Sequence, residues 1–245
     1  MTGTGHVGIT APADHPFFAG IGDRLTDRGH RVSFFDADTV VPRSTLAELT
    51  VFVSKRTRPA SIRSLRAAAD LGVATWNSPT GVLACASRLS QLCLLEGVGF
   101  DVPAAGSTPP DGEYVAKGLY HWSGPPERGG DGDVYEELLV ADPIDFKYYV
   151  VDTGDGHEAA VVRATSKLWG EKRIVGTTDP DPTIVDRITT LLTRLDMRGI
   201  GVDVLHTPDG WYAVDLNPCP SFVGTGLETA IVASIEACMT AAVSR

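Results

Sequence analysis

The chain has 245 residues, 43 % of them apolar, with 21 Lys and Arg against 31 Asp and Glu for a formal net charge of −10. That composition can bury a full core. The acidic balance argues against nucleic acid and anionic membranes as partners, because the long-range field repels phosphates. No run of about 18 apolar residues marks a membrane span. Residues 1–10 lack the basic and apolar segments of a signal peptide. Cys85, Cys93, Cys219 and Cys238 form neither a CxxC pair nor a zinc-ligand cluster. The expectation is a cytoplasmic protein with reduced thiols, Cys85 and Cys93 lying on a buried helix face.

In chain order, residues 6–11 read as a buried strand and 16–28 as a helix carrying Phe17, Phe18, Ile21 and Leu25 at helical spacing, stopped at Gly29. Strands are predicted at 31–36, 49–54 and 73–76, with a helix at 62–71 ending at Gly72. This alternation predicts a small parallel α/β lobe over residues 1–76. Asn77-Ser78-Pro79 breaks the pattern and marks a lobe boundary. A single helix is predicted over 80–96, a Pro/Gly-rich loop over 98–112 and a strand over 113–117. Residues 121–133, with four Gly and two Pro, predict a mobile loop. Strands at 134–140, 146–152 and 158–165 suggest an antiparallel sheet. An amphipathic helix is expected at 182–195. A hairpin pairs 202–206 with 211–216 across Pro208-Asp209-Gly210, and a closing helix spans 226–242. A second lobe over 77–140 and a third over 141–245 complete the expected organisation.

The hairpin carries the chemistry. Strand side chains alternate faces, so Asp215 and Asn217 share one face and the hairpin sets Asp203 opposite them. Two carboxylates about 4 Å apart repel by about 4 kcal/mol at an effective dielectric near 20. A divalent cation relieves that repulsion, and an all-oxygen set with few protein ligands suits magnesium bridging phosphates. The same residues also fit a simple turn in which Asp215 and Asn217 cap the chain before Pro218.

The order Asp203, Asp215, Asn217 resembles the magnesium triad of the ATP-grasp superfamily. Its ribosomal-protein glutamate ligases carry Glu where this chain has Asp215, and its inositol-phosphate kinases carry Asp. Further matches precede the triad in family order. Residues 77–103 resemble the helix before the ATP lobe, with Arg88 where the family usually has a phosphate-contacting Lys. Arg can hold phosphate in a bidentate way, so the replacement is chemically sound with a different geometry. Lys117, ending the strand YVAK, resembles the family's phosphate-binding Lys, and 121–133 the glycine-rich flap over the triphosphate. Residues 135–140 resemble the adenine hinge. Glu136 or Glu137 would accept the adenine amino group, the main chain at Leu138 and Leu139 would mimic a base-pair edge, and Asp142 would meet the ribose. Lys147 and Arg163 match basic positions facing the γ-phosphate or substrate. Lys172 and Ser221 fall where substrate is held, Lys172 beside Lys167 and Arg173 in a charged loop, and Phe222 shares the short substrate loop with Ser221. One departure stands out. Glu136 follows Lys117 by only 19 positions, roughly half the family's spacing, so the flap is short.

The resemblance implies an α/β (α+β ATP-grasp) fold: an N-terminal α/β lobe, then two α+β lobes around an ATP cleft. It implies ATP and Mg2+ as cofactors and a ligase that joins a small-molecule or peptide carboxylate to an amine through an acyl phosphate. Lys147 and Arg163 would be catalytic. A small-molecule kinase, or a nucleotide-binding protein without turnover, would use the same pocket. Relatives are often homodimers, which makes a homodimer an expectation here.

Overall fold

A computed structural model describes residues 4–243. The first sheet is parallel, in the order β2-β1-β3-β4, and is built from β1 (His6–Ile9), β2 (Arg31–Phe34), β3 (Val51–Val53) and β4 (Ala74–Thr75). Its helices are α1 (Phe18–Asp27), the short α2 (Arg43–Leu46) and α3 (Pro59–Asp70). Helix α1 buries Phe18, Ile21, Gly22 and Leu25, a stripe at spacings of three and four residues that faces the sheet. Gly22 is part of the fit, because a Cβ there would lie 2.9 Å from the Phe34 ring.

Residues 77–96 depart from the expected single helix. They form α4 (Pro79–Ala84) and α5 (Arg88–Glu96), separated by Cys85-Ala86-Ser87. The break has a tertiary cause. The Arg88 N–H donates to Leu119 O, Ala86 O accepts from the His121 N–H, and Ser87 bridges to Tyr120. The freed Cys85 carbonyl accepts from Gln91 Nε2 at 2.6 Å. Splitting the helix also divides the cysteines: Cys85 is buried and Cys93 exposed.

The central sheet is antiparallel, in the order β5-β8-β6-β7, with β5 (Ala105–Gly106), β6 (Tyr114–Lys117), β7 (Glu127–Arg128) and β8 (Val134–Glu137). Strand β7 lies inside the stretch expected to be loop, paired to β6 at Ala116. The third sheet is also antiparallel, in the order β11-β10-β9-β12-β13. Its strands are β9 (Ile144–Asp152), β10 (His157–Thr165), β11 (Ile174–Thr178), β12 (Gly199–Thr207) and β13 (Gly210–Asn217). Strand β11 was not anticipated from the sequence. Helix α6 (Pro182–Leu195) is capped by Asp181, whose side chain accepts from the Thr183 N–H at 2.8 Å, and begins with Pro182. The chain closes with α7 (Glu228–Val243).

Two apolar cores bind the first and third sheets together. One joins Phe52, Leu65 and Leu95 to Tyr148, Val150, Ile188 and Val202. The other joins Val7, Ile9, Phe18 and Val53 to Tyr149, Val151, Ile231 and Ile235. Strand β9 feeds both through the alternation of its side chains. Neither core includes a residue of the central sheet. Phe222, with its backbone at φ 54°, is fully buried against Phe17, Phe18, Trp76 and Tyr149. It is a core residue and is not open to substrate, contrary to expectation.

Asn77 ties the seam between these parts. Its Nδ2 donates to Gly199 O (2.8 Å) and Pro218 O (2.7 Å), and its Oδ1 accepts from the N–H groups of Arg198 (2.8 Å) and Gly199 (3.1 Å). Beside it the Trp76 ring covers Gly199 so closely that a Cβ would sit 2.4 Å from it.

His6 provides a pH-sensitive element of stability. Its ring is buried in the first sheet, with Nε2 2.8 Å from Ser33 Oγ and Nδ1 3.2 Å from Glu48 O. Burial, then the Arg31 charge, lowers its pKa below the ordinary 6.5. The unfolded chain therefore takes up the proton first. The stability this adds is complete above pH 6.5 and is lost as pH falls toward the depressed folded value. Denaturant midpoints taken at pH 7.5 and 5.5 are expected to fall for the native chain and to fall less for His6→Gln. Equal falls would show that His6 does not contribute.

Candidate functional site

The β12–β13 hairpin turns at Pro208-Asp209, with Thr207 opposite Gly210. Asp203 pairs directly with Asp215, and Gly201 with Asn217. Between Asp203 and Val204 the register shifts, so Val204 faces Ala213 and Val214 is left as a bulge. On its other side β12 pairs with β9, setting Lys147 opposite Asp203. Lys147, Asp203 and Asp215 thus form a row across three adjacent strands.

Each carboxylate of the row holds its own buried cation. Lys147 Nζ is paired with Asp203 Oδ2 and lies 3.4 Å from Asp145 Oδ2. Arg88, the first residue of α5, pairs through Nη1 with Asp215 Oδ1, while its buried Nε has no hydrogen-bond partner. His121 Nε2 lies 2.8 Å from Leu216 O and 4.0 Å from Asp215 Oδ1. From the central sheet, Lys117 Nζ bonds Glu136 Oε2 at 2.6 Å and the carbonyl of the bulged Val214 at 3.0 Å.

These charges push the two aspartates in opposite directions. Burial, followed by the neighbouring Asp215 charge, raises the Asp203 carboxyl against the pull of Lys147. Asp215 is also partly withdrawn from solvent, but His121, Arg88, Lys117 and Lys147 outweigh that desolvation and hold it below the usual carboxylate range. Burial raises Glu136 despite Lys117. The Lys147 ammonium is raised, because Asp203 and Asp145 overcome its burial. Lys172 is lowered by burial, then by Lys147.

All of these groups line one cavity of about 630 Å³. Of the residues expected at a site, Arg88, Lys117, Glu136, Glu137, Leu138, Leu139, Asp142, Lys147, Lys172, Asp203, Asp215, Asn217 and Ser221 lie on its wall. Arg163 does not. It pairs with Phe146, so its side chain projects from the face opposite Lys147, where it is exposed with its guanidinium 6.0 Å from the Phe146 ring. Arg173 is likewise exposed and pairs with Glu171. Two wall residues already accept from main-chain amides. Asn217 Oδ1 accepts from the Cys219 N–H (2.9 Å), and Glu137 Oε1 accepts from the Ala104 N–H (3.1 Å). Among the described residues, no group of three or more His, Cys, Asp and Glu side chains is arranged to hold a metal.

Several wall residues escaped the sequence reading: His121, Asp145, Tyr149 and Trp169. Asp145 had a signal, since it lies two positions before Lys147 on the same strand and so on the same face. Trp169 joins the two sides of the mouth, with the Arg128 guanidinium of β7 stacked 4.7 Å above its ring.

No protein-family model and no curated protein matches the chain. Solved structures do. A structure of the ATP-grasp ligase PsnB complexed with a minimal precursor superposes with a TM-score of 0.72 over 96 % of this chain and 100 % of that one, at 17 % identity. The macrocyclase MdnC from Microcystis aeruginosa MRC, bound with precursor peptide MdnA, gives 0.69 over 94 % and 98 %, at 13 % identity. An L-amino acid ligase from Bacillus licheniformis gives 0.70 over 91 % of this chain and 69 % of that one, at 15 % identity. The chain has the ATP-grasp fold. The likeness extends through residues 1–76, which the sequence matched only as a generic α/β lobe. Within the ATP-grasp fold of this chain, the cavity lies between the central sheet and the β9–β12–β13 face of the third sheet, and its outer edge carries Lys167, Trp169 and Lys172. Among the described residues no helix is long and apolar enough to cross a membrane.

Proposed function

We propose that the protein is an ATP- and magnesium-dependent ligase that joins a carboxylate to an amine through an acyl phosphate. One observation carries this reading. Asp203 and Asp215 face each other on the wall of a cavity between two sheets, and each is held by its own buried cation. Support also comes from proteins of the same fold. A structure of PsnB is complexed with minimal precursor, Mg and ADP, MdnC is a macrocyclase bound to a precursor peptide, and the Bacillus licheniformis protein is an L-amino acid ligase.

Asp203, Asp215 and Asn217 would hold magnesium, which when bound shields the charge of the phosphate oxygens. The residues fit this role in donor type, since they supply oxygens only; magnesium would compete there with the Lys147 and Arg88 ion pairs and with the Cys219 N–H bond to Asn217 Oδ1. Arg88 and Lys117, both on the cavity wall, would meet the triphosphate. Glu136, Glu137, Leu138, Leu139 and Asp142 line the part of the cavity assigned to adenine and ribose. Lys147, Lys172 and Ser221 would orient the substrate carboxylate. One carboxylate oxygen forms a bond to the γ-phosphorus as the bond from that phosphorus to the ADP oxygen breaks. The amine then attacks the acyl carbon, the carbon–oxygen bond to phosphate breaks, and the proton lost from nitrogen passes to the departing phosphate. No protein nucleophile takes part. The side chains position reactants and balance charge.

The test is ADP release with magnesium, a mixture of amino acids and short peptides, and hydroxylamine. Hydroxamate formed in step with ADP is the expected result, because only an activated acyl group is trapped. ADP without hydroxamate, stimulated by an alcohol, would replace this reading with a kinase. No binding of a magnesium–nucleotide analogue would end it.

A further inference from the structure

Lys55 follows β3 in the first sheet, outside the cavity, yet its side chain reaches Cys219, between the cavity-lining Asn217 and Ser221. The residue is buried, and Nζ donates to the Cys219 carbonyl at 2.8 Å. Its backbone is pinned as well, with the Lys55 N–H donating to Thr10 Oγ1 at 2.8 Å. The cations on the cavity wall at Arg88, Lys117 and Lys147 each have a carboxylate. Among the described residues, Lys55 has none within ion-pair distance. The Cys219 thiol cannot substitute, because burial pushes it up to about 12 and keeps it neutral. A buried ammonium without a counter-charge is costly, and an apolar chain of the same length would fill the space at less cost. Burial accordingly pushes Lys55 itself down to about 8.

The donor acts on a segment that Asn77 also holds at the Pro218 carbonyl and Ser54 at the Cys219 thiol. Residues 217–221 leave β13 through Pro218 and Pro220, which have no N–H groups to donate. Cys219 is fixed from two sides. Its carbonyl takes the Lys55 proton donor, and its N–H holds Asn217 Oδ1 at 2.9 Å. Asn217 and Ser221, at the two ends of this segment, both line the cavity.

We infer that Lys55 is a positioning residue for the cavity. Through the Cys219 carbonyl it sets residues 217–221, and so the Asn217 carboxamide and the Ser221 hydroxyl, while its unbalanced charge lies beneath the wall that meets an anion. The nucleotide part of this inference rests on the function proposed above; the part concerning the loop does not.

The test compares Lys55→Met, which keeps the length of the side chain and removes donor and charge, with Lys55→Arg, which keeps both. Three measurements are made on the full chain: thermal melting, amide hydrogen exchange at Cys219, Ser221 and Phe222, and binding of a non-hydrolysable ATP analogue with magnesium. Lys55→Met is expected to melt near the native temperature, because relief of the unpaired buried charge offsets the loss of the donor to the Cys219 carbonyl. Exchange at those amides should quicken at least tenfold, and the analogue should bind at least tenfold more weakly, with both recovered in part by Lys55→Arg. A purely structural lysine would behave the other way, with Lys55→Met melting lower while exchange and binding stay native, and that result overturns the inference. If the native chain fails to bind the analogue, the nucleotide reading falls, and melting and exchange still decide whether Lys55 sets the loop.

Discussion

Asp215→Asn is expected to lower ADP release at least a hundredfold, the order of loss seen when one preorganised charge contact is removed from an active site. Stability should change far less. Asn has the shape of Asp and still offers Arg88 an oxygen, but the counter-charge is gone. Breaking a fully buried ion pair costs about 3–5 kcal/mol. The Asp215 side chain is 24 % exposed, so solvent reduces that penalty. Removing its charge also relieves Asp203, which Asp215 now pushes toward protonation. These opposed effects leave a loss of about 1–2 kcal/mol. Denaturant unfolding and ADP release on the same preparations check both numbers. Unfolding that accounts for all the lost activity would make Asp215 a structural residue and sink the catalytic assignment.

Asn77→Ala should be among the most destabilising single changes, costing at least about 3 kcal/mol, because it strands four buried main-chain groups at about 1–3 kcal/mol each, reduced where water enters. Asn77→Asp is expected to do little better. A carboxylate can keep the bonds from the Arg198 and Gly199 amides but turns an acceptor toward the Gly199 and Pro218 carbonyls. A loss below about 1 kcal/mol for Ala in equilibrium denaturation would mean that the seam is held by packing alone.

What could be read from the sequence was local. The hairpin declared itself through a Pro-Asp-Gly turn between apolar strands, and side-chain alternation put Asp203 opposite Asp215 as observed. Helix α6 was legible from its apolar stripe and its Asp-Pro start. The misread features depend on partners far along the chain. The break at 85–87 is made by Leu119 and His121, about thirty residues away, and nothing local announces it. Arg163 sits in AAVVRATS, where both faces are apolar, so alternation cannot say which face meets the cavity. That is decided by its pairing with Phe146 rather than Lys147. Asn77 looked like a break between lobes because Asn-Ser-Pro is turn chemistry, whereas its amide joins them. The shared cavity wall reflects the fold as a whole; of the cations that the family resemblance singled out, Arg88, Lys117, Lys147 and Lys172 lie on it and Arg163 does not.

The absence of the central sheet from both apolar cores has a mechanical consequence. The first and third sheets, sharing two cores and the Asn77 bonds, make a single base that cannot flex without exposing apolar surface. The central sheet meets that base at the cavity through polar ties, among them Lys117 to the Val214 carbonyl, Arg88 N–H to Leu119 and His121 to Leu216. Such ties exchange readily with water and ions, while a core does not. The molecule is thus built as an anvil with a separately tied plate above it, and weakening the hydrogen bonds along that seam is expected to loosen the cavity before either core.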